Sequence, residues 1–449
     1  MTDIRKASQV LFLLSVAVWG AVSSSGTAFG EETPKKIKYF SVRSGTTKTR
    51  TGLEYESKKV VLAGADRPEG KRWLTYEPSE GYDLEALGLQ IKPSTTLVMQ
   101  GSPNPNTPPG SGKFAQSWVM YLDFIKKLED WGQLFVQFEP GWGLGVDPDL
   151  ALFSGVDHNA HDTGGRFLIR KYWYEQYFLN KQVTVRCGVL HAIDWFDLNN
   201  YVDDDDNQFL GYPFNNSPAI EWASGCTFAE HIHMAFEAAP FIELDLGHFE
   251  GSADWQQLFK NGMYIAQGNI KPSALIGADP VKWGGNYRFY GWVNDRDHLK
   301  YVEAGQMQGN ESYINYGLGL SFDQIVANAF DLFGRFGWER PDIIPVSGSA
   351  TVEWAWSGGI QVSGKYWARA EDHIAVAVGQ DFVSKEYKDA GNPGSNEGHI
   401  EAYYSWRLNR CLTISPDLQL IWNPNGVSKA WQGNSEPVFV YSTRIHYVF

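Results

Sequence analysis

A set of charged side chains falls on the polar faces of segments in which polar and apolar residues alternate: Glu175, Arg186, Glu243, Asp245, Arg288, Arg335, Glu353, Glu401, Arg407 and Arg444. The chemistry open to such a set is selection rather than bond breaking, because opposed charges lining a water-filled passage orient water and polar solutes and filter ions. Glu175 and Arg186 are the leading pair, since they lie on successive strands of one expected hairpin, 166–178 and 182–190. Trp173, Tyr290 and Trp292 could offer flat faces to sugar rings. The plainer reading of any one inward charge is membership of a hydrated wall network.

Other clusters are weaker. The run Asp203 to Asp206, with Asp194 and Asp197 upstream, has the oxygen density that calcium needs, but it lacks the glycine and distal glutamate of an EF-hand loop. A solvated loop near a pore mouth is the reading it favours. His158 and His161 could ligate zinc, yet no third ligand is indicated and the stretch reads as a turn. His231 and His233 alternate on one strand face, as lumen or rim residues. There is no G-x-S-x-G, no H-E-x-x-H and no P-loop, and no carboxylate pair is placed at glycosidase separation, so neither catalysis nor a cofactor or metal is expected. The three cysteines, Cys187, Cys226 and Cys411, have no C-x-x-C spacing and read as small apolar strand residues, although one pair could bridge in an oxidising compartment.

The elements that must position these groups are strands. Residues 1–30 read as a secretory signal peptide, with Arg5 and Lys6 before the apolar stretch Val10 to Val22 and small residues toward Gly30. No later stretch approaches the ~18 consecutive apolar residues of a membrane helix. Aromatic residues make up 15% of the chain while mean hydropathy stays at −0.33. A closed barrel reconciles the two, because lipid-facing residues alternate with polar lumen residues and aromatic girdles mark both interfaces. The net charge of −14 disfavours nucleic acid as a partner.

The chain end is the clearest strand. Phe439, Tyr441, Thr443, Ile445, Tyr447 and Phe449 share one face, and Ser442, Arg444 and His446 the other. The preceding hairpin alternates in the same way, with Glu401, Tyr403, Ser405 and Arg407 opposite Ile400, Ala402, Tyr404 and Trp406. Similar segments recur from residue 88 onward, among them 219–228, 350–357 and 360–370. They predict an all-β, antiparallel up-and-down transmembrane barrel of about sixteen strands over 81–449. Residues 31–80, rich in lysine and arginine, are expected to form a periplasmic extension, with plugging of the lumen as the alternative.

Several motifs, in order, resemble the carbohydrate-selective porin family, often called OprB, from Tyr82 to Phe449. Leu84-Glu85-Ala86-Leu87-Gly88-Leu89 is similar to the opening of its first strand. Tyr174-Glu175-Gln176 with Val183 to Leu190 resembles its aromatic-EQ hairpin and "VRxGKL" strand, Val189 replacing the usual lysine. Asn207 to Leu210 and Asn215 to Ile220 resemble the "QFL…NNPAI" stretch, with Ser217 as an insertion-like departure. Leu332 to Trp338 is similar to "LFxRFG", and Glu401 to Leu408 followed by Ile414 to Pro424 resembles the closing hairpin. The resemblance implies a Gram-negative outer-membrane porin bedded in lipid and lipopolysaccharide, with a homotrimer as one assembly open to it, passing monosaccharides and similar solutes without energy input. The terminal Phe449 resembles the signal read by the barrel-assembly machinery. The alternatives are an anion or general diffusion porin, a secreted carbohydrate-binding protein, or a barrel-embedded enzyme.

Overall fold

The computed structural model describes residues 60–61, 75–77, 80–103, 113–222, 229–251, 261–301, 312–326, 330–346, 351–427 and 437–449. The chain divides into two compact units, Met1–Val42 and Arg43–Phe449. The first lies outside the described residues, as do the expected signal peptide, most of the 31–80 extension and Cys226.

The second unit is a closed antiparallel barrel. Its long strands are β1 (Leu89–Gly101), β2 (Phe114–Leu128), β3 (Gly132–Phe138), β4 (Ile169–Phe178), β5 (Val183–Leu190), β6 (Ala229–Ala239), β7 (Ile242–Glu250) and β8 (Gly262–Ile270). They continue with β9 (Gly285–Lys300), β10 (Tyr313–Val326), β11 (Phe330–Glu339), β12 (Val352–Ser363), β13 (His373–Val383), β14 (Glu397–Arg407), β15 (Leu412–Trp422) and β16 (Val438–Val448). Each pairs with the next, and β16 closes the ring on β1 through Tyr441↔Gly101 to Val448↔Ser94. Closure leaves no long sheet edge, which is the condition for crossing a bilayer with strands.

The two faces of the wall are inverted relative to a water-soluble protein. Ile232, Leu244, Phe289, Leu318, Trp354, Ile374, Ile400, Trp406, Leu418 and Tyr441 are exposed on the outside, whereas Asp245, Arg288, Asp323, Arg335, Glu401, Asp417 and Arg444 are buried within. The period-two pattern of β14 to β16 is realised as read. Three expected segments are corrected. The stretch 219–228 is not a strand in its described part: Ala219, Ile220 and Trp222 are irregular backbone buried inside the molecule. The segments 350–357 and 360–370 are one strand, β12, running through Gly358 and Gly359 before a short 3-10 turn at Gly364–Trp367. Cys187 lies on β5 and Cys411 in the turn before β15, both as free thiols, so Cys411 is not the strand residue expected.

Connections differ sharply between the two ends. At one end the turns are tight, as at 129–131, 179–182, 240–241 and 408–411; in the second, Leu179, Asn180 and Lys181 take left-handed backbone, which Asn tolerates better than most side chains. At the other end the connections are long, and 139–168 and 191–222 fold back into the barrel. Apolar residues of these two loops pack on one part of the inner wall. Tyr201, Val202, Phe209 and Phe214 meet Phe333, Ala375, Ala377 and Tyr403, while Val146, Leu150 and Val156 meet Ile421, Val438 and Val440. Small inward residues on β13 leave room for the loop aromatics. The loops therefore narrow the lumen toward the wall formed by β2 to β6.

Candidate pore constriction

On that narrower side, buried carboxylates pair with basic residues that keep contact with solvent. Gln137, Asp123, Lys171, Trp173 and Glu175 all point inward. Cross-strand pairing places Asp123 opposite Gln137, Gln137 opposite Lys171, and Glu175 opposite both Gln133 and Arg186. The Gln137 amide donates to Asp123 at 2.8 Å, and Lys171 Nζ sits 2.6 Å from Asp194 Oδ2, on the first turn of the second inserted loop. Arg186 forms an ion pair with Glu175, lies 2.9 Å from His233 through Nη1, and stacks its guanidinium over Trp195 at 4.0 Å. His233 in turn is 3.2 Å from Asp245. Nearer the loop end, Glu139 is 3.1 Å from His161 and 3.3 Å from Arg170.

These groups differ from the rest of the inner wall in accessibility. The side chains of Arg186, Lys171, Asp194, Arg170 and His161 keep 11%, 13%, 17%, 27% and 29% of their surface open. Paired charges held by partners and still wetted are what a passage for polar solutes requires, since they exchange hydrogen bonds with the solute without leaving a charge uncompensated.

The other inward charges serve the loops. Glu401 accepts the backbone N–H groups of Leu210 at 2.6 Å and Gly211 at 2.7 Å. Glu397 accepts those of Phe153 at 2.9 Å and Ser154 at 3.0 Å, and the Ser154 hydroxyl donates to Asp381 at 2.7 Å. Arg335 pairs with Asp197 and Asp203 and donates to the Phe214 carbonyl. Arg444 donates to the Asp205 carbonyl at 2.8 Å, and Thr96 to Asp206 at 2.5 Å. Arg288 is bound to Asp323 at 2.6 Å, whose other oxygen accepts from Asn200 of the second loop at 2.8 Å. Each hydrogen bond to such a charged acceptor contributes about 1.5–3 kcal/mol.

Strand parity thus brings nearly all of the expected charges to the interior, but only part of them to one place. Glu175, Arg186 and Asp245 meet at the half-open site. Arg288, Arg335, Glu401 and Arg444 are covered by loop and face no open water. Glu243 and Arg407 lie at the tight-turn end, paired with Lys271 at 3.0 Å and Glu371 at 3.5 Å. Glu353 falls on a bulge between Val352 and Trp354, which interrupts its alternation. The three aromatics point inward but offer no free face: Trp173 stacks on Phe135 at 4.9 Å with Trp195 against it edge-on, and Tyr290 and Trp292 are buried.

The acidic run is also corrected. Asp203 to Asp206 is not a solvated loop; it is spent on Arg335, on Thr96 and on His158, which lies 2.8 Å from Asp205. His158 and His161 face different carboxylates, and no group of three or more His, Cys, Asp or Glu among the described residues is arranged to hold a metal ion. His231 and His233 point inward under the second loop. Lys171 and Asp123 are not among the residues expected from the sequence, although Lys171 shares its face with Trp173 and Glu175.

A closed sixteen-stranded barrel with an apolar exterior, loops folded inward and a charged, half-open site beside them defines the porin class. The family model described as "Carbohydrate-selective porin, OprB family" matches residues 153–449, and the chain belongs to that family. Comparison with curated protein sequences gives no match. Among solved structures, Pseudomonas putida OprB at high pH aligns with a TM-score of 0.66 at 16% identity, covering 81% of this chain and 95% of that one. The outer-membrane channel DcaP of Acinetobacter baumannii aligns with a TM-score of 0.50 at 10% identity, covering 82% and 99%. The protein is a channel for sugars in the bacterial outer membrane.

Proposed function

We propose that sugars pass along the wall formed by β2 to β6 and are selected by Lys171, Asp194, Glu175 and Arg186. The observation that carries this reading is accessibility: Lys171, Asp194 and Arg186 stay partly open to water, whereas Arg335, Glu401 and Arg444 are covered by loop. A sugar hydroxyl both donates and accepts, so it can bridge a cation and a carboxylate in turn, whereas a small ion is held by one and repelled by the other. Passage is passive and no catalytic step is part of the reading. Phe449, with Tyr447 edge-on at 4.9 Å, is the end that the barrel-assembly machinery would engage. A homotrimer with one pore per barrel goes with this reading, and sedimentation of the detergent-solubilised protein tests it.

Liposome swelling with refolded protein tests the passage itself, comparing glucose, a disaccharide and an amino acid of similar size. Glucose entry should be fastest. Glu175→Gln, Arg186→Gln and Lys171→Met should each change it by about threefold, the scale of one net hydrogen bond at ~0.5–1.5 kcal/mol. Glucose entry unaltered in all three variants would move the constriction elsewhere.

A further inference from the structure

The connection 271–284 is unlike its neighbours at the tight-turn end. It holds two single-turn helices, Pro272–Leu275 and Pro280–Trp283, and displays Leu275, Ile276, Val281 and Trp283, each more than half exposed. Leaving large apolar side chains in water forfeits the favourable free energy of burying them. This segment packs on the outside of the barrel. The Gln324 side chain, outward on β10, donates to the carbonyls of Trp283 at 3.1 Å and Gly284 at 3.3 Å and accepts from the Tyr287 hydroxyl at 3.2 Å. Tyr287 is outward too, one residue before inward Arg288, and lies flat on Phe322 with centroids 6.0 Å apart.

Between the helices and the strand ends runs a groove of about 550 Å³, lined by Pro272, Ile276, Trp283, Tyr287 and Val326. It opens onto the lipid-facing band that continues through Phe289 and Leu318. In this class the tight turns face the periplasm, so the groove lies at the periplasmic leaflet. Exposed Lys282 directly precedes the lining residue Trp283, a pairing typical of the membrane interface. The other lysine of this connection, Lys271, is held by Glu243, whereas Lys282 makes no ion pair among the described residues.

We propose that this groove binds an acyl chain of an anionic phospholipid from the periplasmic leaflet, with the phosphate on Lys282. The lining is mainly apolar, with Ser273, Tyr287 and Gln324 as its polar members, and Lys282 next to Trp283 supplies a positive charge for the phosphate. The inference rests on membrane residence alone and is independent of the constriction.

Native mass spectrometry of the full-length protein, released from detergent after incubation with phosphatidylglycerol or phosphatidylcholine of equal chain length, tests it. The wild type should retain phosphatidylglycerol preferentially. Lys282→Gln should weaken that preference by roughly tenfold, the scale of one charge-assisted hydrogen bond, while phosphatidylcholine binding persists. Ile276→Ser should lose both lipids. Single-channel conductance, which the groove does not touch, should be unchanged in both variants and so reports that they fold. Equal phosphatidylglycerol retention in wild type and variants would overturn the proposal. So would conversion of an oligomer to monomers by Ile276→Ser without lipid dependence, which would make a second copy the occupant.

Discussion

Two stretches of the inner wall carry similar residues and do different work. On β2 to β6, Lys171 and Arg186 are paired and remain wetted, with buried Glu175 as the partner of Arg186; on β11 to β16, Arg335, Glu401 and Arg444 are paired and sealed beneath loops. Both sets satisfy the same alternation. What separates them is the filling of the barrel by 139–168 and 191–222, whose apolar side chains need apolar and small inward partners such as Phe333, Ala375, Ala377 and Val440. An inward charge is therefore a pore residue where it stays open beside the loops, as Lys171 and Arg186 do against Asp194 and Trp195; where a loop seals it, it is an anchor that sets how wide the pore is.

The largest expected effect comes from removing an anchor. Arg335→Met leaves Asp197 and Asp203 buried without their cation and frees the Phe214 carbonyl. Breaking one side of such a buried pair costs about 3–5 kcal/mol, and here the loss falls on the attachment of the second loop. Single-channel recording should show a larger and noisier conductance, and the urea midpoint should fall. A variant with wild-type conductance and midpoint would erase the distinction between the two walls. Glu401→Gln, which keeps an acceptor for Leu210 and Gly211, should be milder in both measurements.

A middle-sized effect is expected from pH. Asp147 and Asp157 belong to the first inserted loop, outside the strands, and burial pushes their carboxyls up to about 6 and about 7. Asp157 accepts from the Ser117 hydroxyl at 2.7 Å, and Asp147 accepts the backbone N–H of Val156 at 2.7 Å. A carboxyl whose folded value is raised stabilises the inserted loop while it is protonated, and that contribution is lost as pH rises through the folded value. Above pH 7 both groups carry charge in a dry site close to Asp205. Conductance should therefore rise between pH 5 and pH 8, and Asp157→Asn should flatten the curve. A profile rising toward acid would reverse this assignment.

How far the sequence reveals this contrast depends on the range of the physics involved. The outward and inward faces of β14 to β16 follow from alternation within a dozen residues, so Glu401, Arg407 and Arg444 were placed inward from local pattern alone. Lys171 is accessible to the same reasoning, because it lies two and four residues from Trp173 and Glu175. The burial of Asp203 to Asp206 is not, since their partners Arg335, Thr96 and His158 are distant in sequence and share no period with them. The same holds for the covered rings of Trp173, Tyr290 and Trp292. Glu353 shows the remaining failure: one extra residue at a bulge breaks the parity on which every inward assignment rests. Gly358-Gly359 reads as a strand break, yet both pair in register with their neighbours on β11 and β13, because a closed ladder supplies the order that glycine lacks.

The smallest effect sharpens the comparison from the other side. Arg407 is inward by parity, like Arg335, but it sits at the tight-turn end beyond the reach of both loops and pairs with exposed Glu371 at 3.5 Å. It also donates to the Arg410 carbonyl at 2.9 Å, a contact local to its own hairpin. A solvent-exposed pair of this kind contributes about 0–1 kcal/mol because water screens it and both side chains lose freedom in making it. Arg407→Gln should leave swelling rates, conductance and urea midpoint within error of wild type. If it instead changed glucose entry as much as Arg186→Gln, the narrowest point would lie at the periplasmic turns, and the loops would no longer decide which inward charges a solute meets.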